Sequence, residues 1–295
     1  MTRYEKLMDR IGKGERILID GGTGTEVDRR GVPQLDNAWN GGGTLSHPHI
    51  VCEIHEDYLR HGAEIVISNT FATSRHALRD AGCEEHFVEY NRRAVELASQ
   101  ARSNMACPEA LVAGGISYWT WTGRNPPLDD LENGVAAQAA VMAEAGADFL
   151  VLEMMIGIER MLVTLAGAQR SGLPVWVGLS CEADGEGGIR LLDGDALGDA
   201  LTALGQKNVP LISIMHTDVR DVDACLDIVD RCWSGAVGVY AHTGDEIGDK
   251  WVFDNMISPA DYAAYCRGWL ARGVQVIGGC CGIRPEHIAE VRCLI

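Results

Sequence analysis

Eight times along this chain a short apolar, β-branched run gives way to a longer stretch with helical periodicity. The runs are RILIDGG (16–22), EIVISNTF (64–71), ALVAGGIS (110–117), FLVLEMM (149–155), PVWVGLSC (174–181), LISIMH (211–216), AVGVYAH (236–242) and VQVIGGC (274–280). Amphipathic stretches fall at 48–61, 84–101, 131–145, 158–170, 195–206, 219–232, 259–272 and 285–293. Strands that are apolar throughout, rather than alternating, are buried on both faces, as in a parallel sheet covered by helices. Eight such units predict an α/β protein with one domain over 1–295, a single (β/α)8 TIM-type barrel of parallel strands. A doubly wound sheet usually has fewer strands and a phosphate-binding glycine turn. GGTGTE (21–26) has the wrong glycine spacing for that turn. No acidic residue closes the next strand, where a dinucleotide fold places one about 20 residues on.

A hydrophobic fraction of 46% is enough for a large closed core. The net charge of −17, with no Lys/Arg cluster, disfavours nucleic acid and anionic membrane surfaces as partners. No apolar run reaches the ~18 residues of a membrane span. The first residues, MTRYEKLMDR, lack the apolar core of a secretory signal. Ten irregularly spaced cysteines then read as reduced thiols, and the expected compartment is cytoplasmic. Most of them are expected to be packing residues. Cys181 points either to the rim or to the core. The loop carrying Glu182, Asp184 and Glu186 reads as solvated.

In a (β/α)8 barrel the chemistry sits at the C-terminal ends of the strands. Asp20, Gly21 and Gly22 end the first run, Ser68, Asn69 and Thr70 the second, and Glu153 the fourth. His216, His242 and the pair Cys280–Cys281 end the last three. GGCCG (278–282) is the strongest local signal, because two thiolates in a glycine turn can meet one soft ion. A vicinal disulfide and two inert core thiols are the alternatives. The strain of a vicinal disulfide, and the rarity of core cysteines in such a turn, favour metal. A catalytic zinc takes three protein ligands and leaves one position open. His216 is the candidate third ligand, against an ordinary core or surface histidine. Whether His216 or His242 stands beside the metal is open at this level.

Four motifs carry a resemblance across essentially the whole chain. They are Asp20-Gly-Gly-Thr-Gly-Thr-Glu26, SNTF (68–71), GADFLVLE (146–153) and GGCCG followed by RPEHI (284–288). In that order they resemble the homocysteine S-methyltransferase family. The resemblance implies Zn2+ as cofactor, and a small-molecule thiol and a methyl donor of onium type as substrates. The acceptor it implies is homocysteine, giving methionine. It also implies Asp20 and Glu153 as acceptors for the substrate ammonium, with the Gly21 and Gly22 amides near its carboxylate. The family's third zinc ligand is a cysteine, usually within Asn-Cys-Thr, where this chain has Met215-His216-Thr217. Its Pro-Asn-Ser-Gly turn is Ala241-His242-Thr243-Gly244 here. A different thiol or selenol, or a degenerate non-catalytic barrel, are the alternatives those changes leave. Imidazole for thiolate makes the zinc site less negative by one charge and the bound sulfur a weaker nucleophile. Tyr118, Trp119 and Trp121 are candidates for an aromatic cage around the donor. The bland reading has them close the barrel mouth or form a contact in a homo-oligomer.

Overall fold

The computed structural model describes residues 1–185, 188–247, 250–253 and 257–295. Eight parallel strands form its centre: β1 (Ile17–Leu18), β2 (Ile65–Ile67), β3 (Leu111–Ile116), β4 (Phe149–Met155), β5 (Val175–Leu179), β6 (Leu211–Asp218), β7 (Ala236–His242) and β8 (Val276–Ile277). Each pairs with its successor from β2 to β8, and β8 pairs with β1. A parallel bridge between Ile19 and Ile65 joins β1 to β2 and closes the ring. The expected (β/α)8 barrel is therefore the fold of this chain.

Each strand is followed by a long covering helix: α1 (Pro48–Arg60), α2 (Phe87–Asn104), α3 (Leu128–Glu144), α4 (Ile158–Gln169), α5 (Leu197–Gly205), α6 (Val222–Cys232), α7 (Pro259–Ala271) and α8 (Pro285–Arg292). Their apolar faces and the strands form one continuous buried core. Proline at the start of α1, α7 and α8 suits a position whose N–H has no helical partner. Strands β1 and β8 are shorter than the apolar runs that encode them, because the chain turns into loops at Asp20 and Gly278.

A helix ahead of the barrel (Arg3–Gly12) starts at a capping box formed by Thr2 and Glu5. Its Tyr4 hydroxyl accepts a hydrogen bond from Trp176 Nε1 at 3.0 Å and packs on Phe149. That end of the barrel is thus plugged, and the opposite rim is left for substrate. Among the described residues, no helix is long and apolar enough to cross a membrane. Glu186 of the acidic loop lies outside the described residues.

Two irregularities fall on the functional rim. The β4–β5 register shifts between Leu152 and Met155, and the β6–β7 register shifts between Met215 and Asp218. Met154 and His216 accordingly adopt positive φ, +53° and +42°. Bulges of this kind re-aim side chains at strand ends, and here they act on Glu153 and His216.

Candidate metal centre and substrate pocket

Beyond β8 the chain makes a tight turn whose thiols face the rim. Gly282 has φ of +81°, and a Cβ there would lie 2.7 Å from the Thr243 carbonyl oxygen. A Cβ on Gly22 would meet the Cys280 carbonyl oxygen at 2.6 Å. Glycine at both places lets the turn seat against the loop after β1. The Cys280 amide donates to Ala241 O at 2.9 Å, which ties the turn to β7. The two sulfurs are 3.9 Å apart, and both cysteines are free thiols. The vicinal-disulfide alternative is therefore not the state of this structure.

His216 Nδ1 lies 3.5 Å from Cys280 Sγ. The donor atoms of His216, Cys280 and Cys281 all lie within 4.8 Å of one another. His242 is outside this triangle. Its ring packs edge-on against His216, with centroids 4.3 Å apart. Burial and the neighbouring imidazole push His242 down to about 3, so it is a neutral buttress. The contact with Cys281 and burial hold the Cys280 thiol well above the usual thiol range, partly offset by His216.

Beside this triangle a cavity of about 350 Å3 opens. Glu153 lines it, half-buried and without a hydrogen-bond partner among the described residues. A Cβ on Gly115 of β3 would lie 2.5 Å from Glu153 Oε2, so the carboxylate occupies space that any larger residue would fill. Desolvation pushes Glu153 up to about 8. Asp20 stands behind the wall, only 1% exposed, and its Oδ2 accepts from the Ile67 amide at 2.7 Å. Burial raises it well above the usual carboxylate range, and the charge of Glu153 adds to the shift. Both groups therefore favour the protonated form, and an entering cation would favour their ionisation.

The sequence profile of the homocysteine S-methyltransferase family matches residues 17–295. The chain belongs to the homocysteine S-methyltransferase family. It is 25% identical to the selenocysteine Se-methyltransferase of Brassica oleracea var. italica, over 94% of this chain and 88% of that one. It is 24% identical to homocysteine S-methyltransferase 2 of Zea mays, over 94% and 89%. Among solved structures it is similar to the metallated form of the Escherichia coli homocysteine methyltransferase MmuM. That match has a TM-score of 0.79 at 23% identity and covers 96% of this chain and 97% of the other. At that identity the likeness is one of fold. Family membership makes the protein an S-methyltransferase.

Three of the residues expected at the site are placed differently. Asp20 does not face the cavity, because its carboxylate is held beneath the wall by the Ile67 amide. Gly21 and Gly22 both line the cavity, but the Gly22 N–H is already donated to Ile283 O at 2.9 Å and is not free for a substrate carboxylate. Tyr118 is not on the rim: it is 2% exposed, and its hydroxyl accepts from the Ile156 and Gly157 amides at 2.9 Å each. Trp119 and Trp121 do line the cavity. Four further aromatics line it, Trp39, Phe71, Tyr240 and Phe253. Phe71 packs edge-on against both Trp39 and Trp121, at 6.4 and 6.1 Å between centroids. Phe71 closes the SNTF motif, which was a signal available in the sequence; Trp39 had none. Cys181 is turned to the core, buried against Cys225.

Proposed function

We propose that this S-methyltransferase is a zinc enzyme that moves a methyl group from a compact onium donor to the sulfur of homocysteine, giving methionine. One observation carries the reading: two thiols and an imidazole form a triangle on the wall of a cavity that also presents a lone carboxyl group. The donor set fits zinc. Bond lengths of 2.3 Å to sulfur and 2.0–2.1 Å to nitrogen, at tetrahedral angles, put neighbouring sulfurs about 3.8 Å apart and sulfur and nitrogen about 3.5–3.6 Å apart. The Cys280–Cys281 and Cys280–His216 separations here are 3.9 and 3.5 Å, and all three donor atoms lie within 4.8 Å of one another. Cys280, Cys281 and His216 would hold the ion beside the cavity, which all three line. Zinc bound there would keep a thiol acceptor ionised near neutral pH.

The protein's own groups do the rest. Glu153, with Asp20 adding charge from behind, draws in the acceptor's ammonium. His242 and Phe253 flank the His216 ring and restrict its rotation. Trp39, Phe71, Trp119 and Trp121 exclude water from the mouth and offer π faces to a methylated cation. As the donor's methyl carbon bonds to the acceptor sulfur, its bond to the onium centre breaks and a neutral product leaves. A volume of about 350 Å3 is near the lower end for ligand sites, which suits two small substrates.

Elemental analysis of protein purified without chelators tests the reading, with about one zinc per chain expected, alongside a methylation assay. No zinc after reconstitution under reducing conditions would sink it. Changing His216→Cys is expected to keep one zinc per chain, since thiolate is an equally competent ligand; loss of metal would contradict the assigned geometry. Trp121→Ala, on a ring already 36% exposed, should raise the KM for the donor by roughly two- to thirtyfold. The KM for the acceptor should stay constant; an unchanged donor KM would remove Trp121 from the donor site. A selenol acceptor is the second reading. His216 in place of the family cysteine favours it, because a selenolate tolerates a less electron-rich centre better than a thiolate does. Parallel assays with homocysteine and selenocysteine separate the two.

A further inference from the structure

The cavity holds one more polar group that neither the motifs nor the metal triangle uses. Tyr240, on β7, is 3% exposed and lines the cavity floor. Its hydroxyl makes no hydrogen bond with any described residue. A buried hydroxyl left without a partner costs about 1–3 kcal/mol, so its persistence asks for a ligand. The space around it is specifically kept. A Cβ on Gly178 of β5 would lie 2.6 Å from the Tyr240 oxygen. The Met215 sulfur beneath it is already engaged, accepting from the Met154 amide and the Ser180 hydroxyl at 3.1 Å each.

Glu153 lines the same cavity as Tyr240, and Asp20 is buried behind its wall. Both are acids, so a ligand group seated between Glu153 and the hydroxyl is best a cation rich in donors. An ammonium has three N–H bonds to place. Glu153 can accept from it, and Asp20 stands behind the wall. We propose that the Tyr240 oxygen is a second direct acceptor for the ammonium of the amino-acid substrate. Tyr240 thereby selects an α-amino thiol over a simple thiol. The proposal rests on the acceptor reading given above.

The test compares dissociation constants of zinc-loaded wild type and Tyr240→Phe for homocysteine and for 4-mercaptobutyrate, which lacks only the amino group. Wild type should prefer homocysteine. The variant should bind homocysteine roughly ten- to a hundredfold more weakly and 4-mercaptobutyrate as wild type does. Ligand-free Tyr240→Phe should melt no lower than wild type, because an unpartnered hydroxyl is being removed from the interior; this separates lost recognition from lost packing. Equal weakening for both ligands, or none for either, with the wild-type preference intact, overturns the role of Tyr240 alone. Wild type without any preference for homocysteine overturns the acceptor reading and this inference with it.

Discussion

Replacing Cys280 and Cys281 together by serine is expected to empty the metal site and lower methyl transfer on the order of a thousandfold or more. Two of the three donor atoms would become alcohols that stay protonated at neutral pH, and His216 alone cannot retain zinc against buffer. Elemental analysis and a methylation assay on the same preparation measure both effects. The fold should survive, because the turn is shaped by its glycines and by backbone bonds to β7 rather than by the sulfurs. Wild-type zinc content or activity in the double variant would refute the centre. Zinc uptake by the wild type should also release protons and strengthen as pH rises. The Cys280 thiol is held well above its ordinary range and must ionise to bind.

The second large effect belongs to Glu153. Glu153→Gln should raise the KM for homocysteine roughly a hundredfold, since it removes one partner of an enclosed charge pair. Its pH signature has a definite sign. In the free protein Glu153 titrates near 8 rather than 4.5, so below that pH the carboxyl must lose a proton to meet the ammonium. Acceptor affinity should therefore improve as pH rises toward about 8 and then level off; the glutamine variant should lack this rise. Stability moves the opposite way. A folded-state value above the unfolded one stabilises the native state below about 4.5, and that contribution is lost as pH rises through about 8. Ligand-free Glu153→Gln should match wild type in denaturant titrations at pH 4 and exceed it at pH 9. No gain at pH 9 would show that Glu153 is solvated rather than buried.

The Glu153 signature illustrates how far local sequence reaches into the site. GADFLVLE places a carboxylate at the end of β4. The bulge after Leu152 and the missing Cβ at Gly115 are what give it a close-fitting berth and a shifted pKa. Tyr240 is the harder case. It sits within an apolar run, where a tyrosine reads as core, and only its buried, unpartnered hydroxyl and its place in the cavity lining distinguish it.

What the amino-acid order alone determined is what periodicity and short motifs can encode. Eight wholly apolar runs separated by amphipathic stretches specify a parallel barrel. The polar residues ending those runs lie on one rim, and GGCCG specifies paired thiols there. The tertiary structure decided which neighbour on that rim does what. His216 and His242 end adjacent strands and look equivalent in the sequence. A register shift and a positive φ at His216 carry its imidazole to the thiols, while His242 is left edge-on behind it. Asp20 and Gly22 stand in the right motif, yet the Ile67 amide and the Ile283 carbonyl engage them first. Trp39 and Trp121 lie far apart along the chain and meet across Phe71 only once the barrel has closed. Such outcomes depend on competition among contacts distant in sequence, and no local pattern records which contact wins.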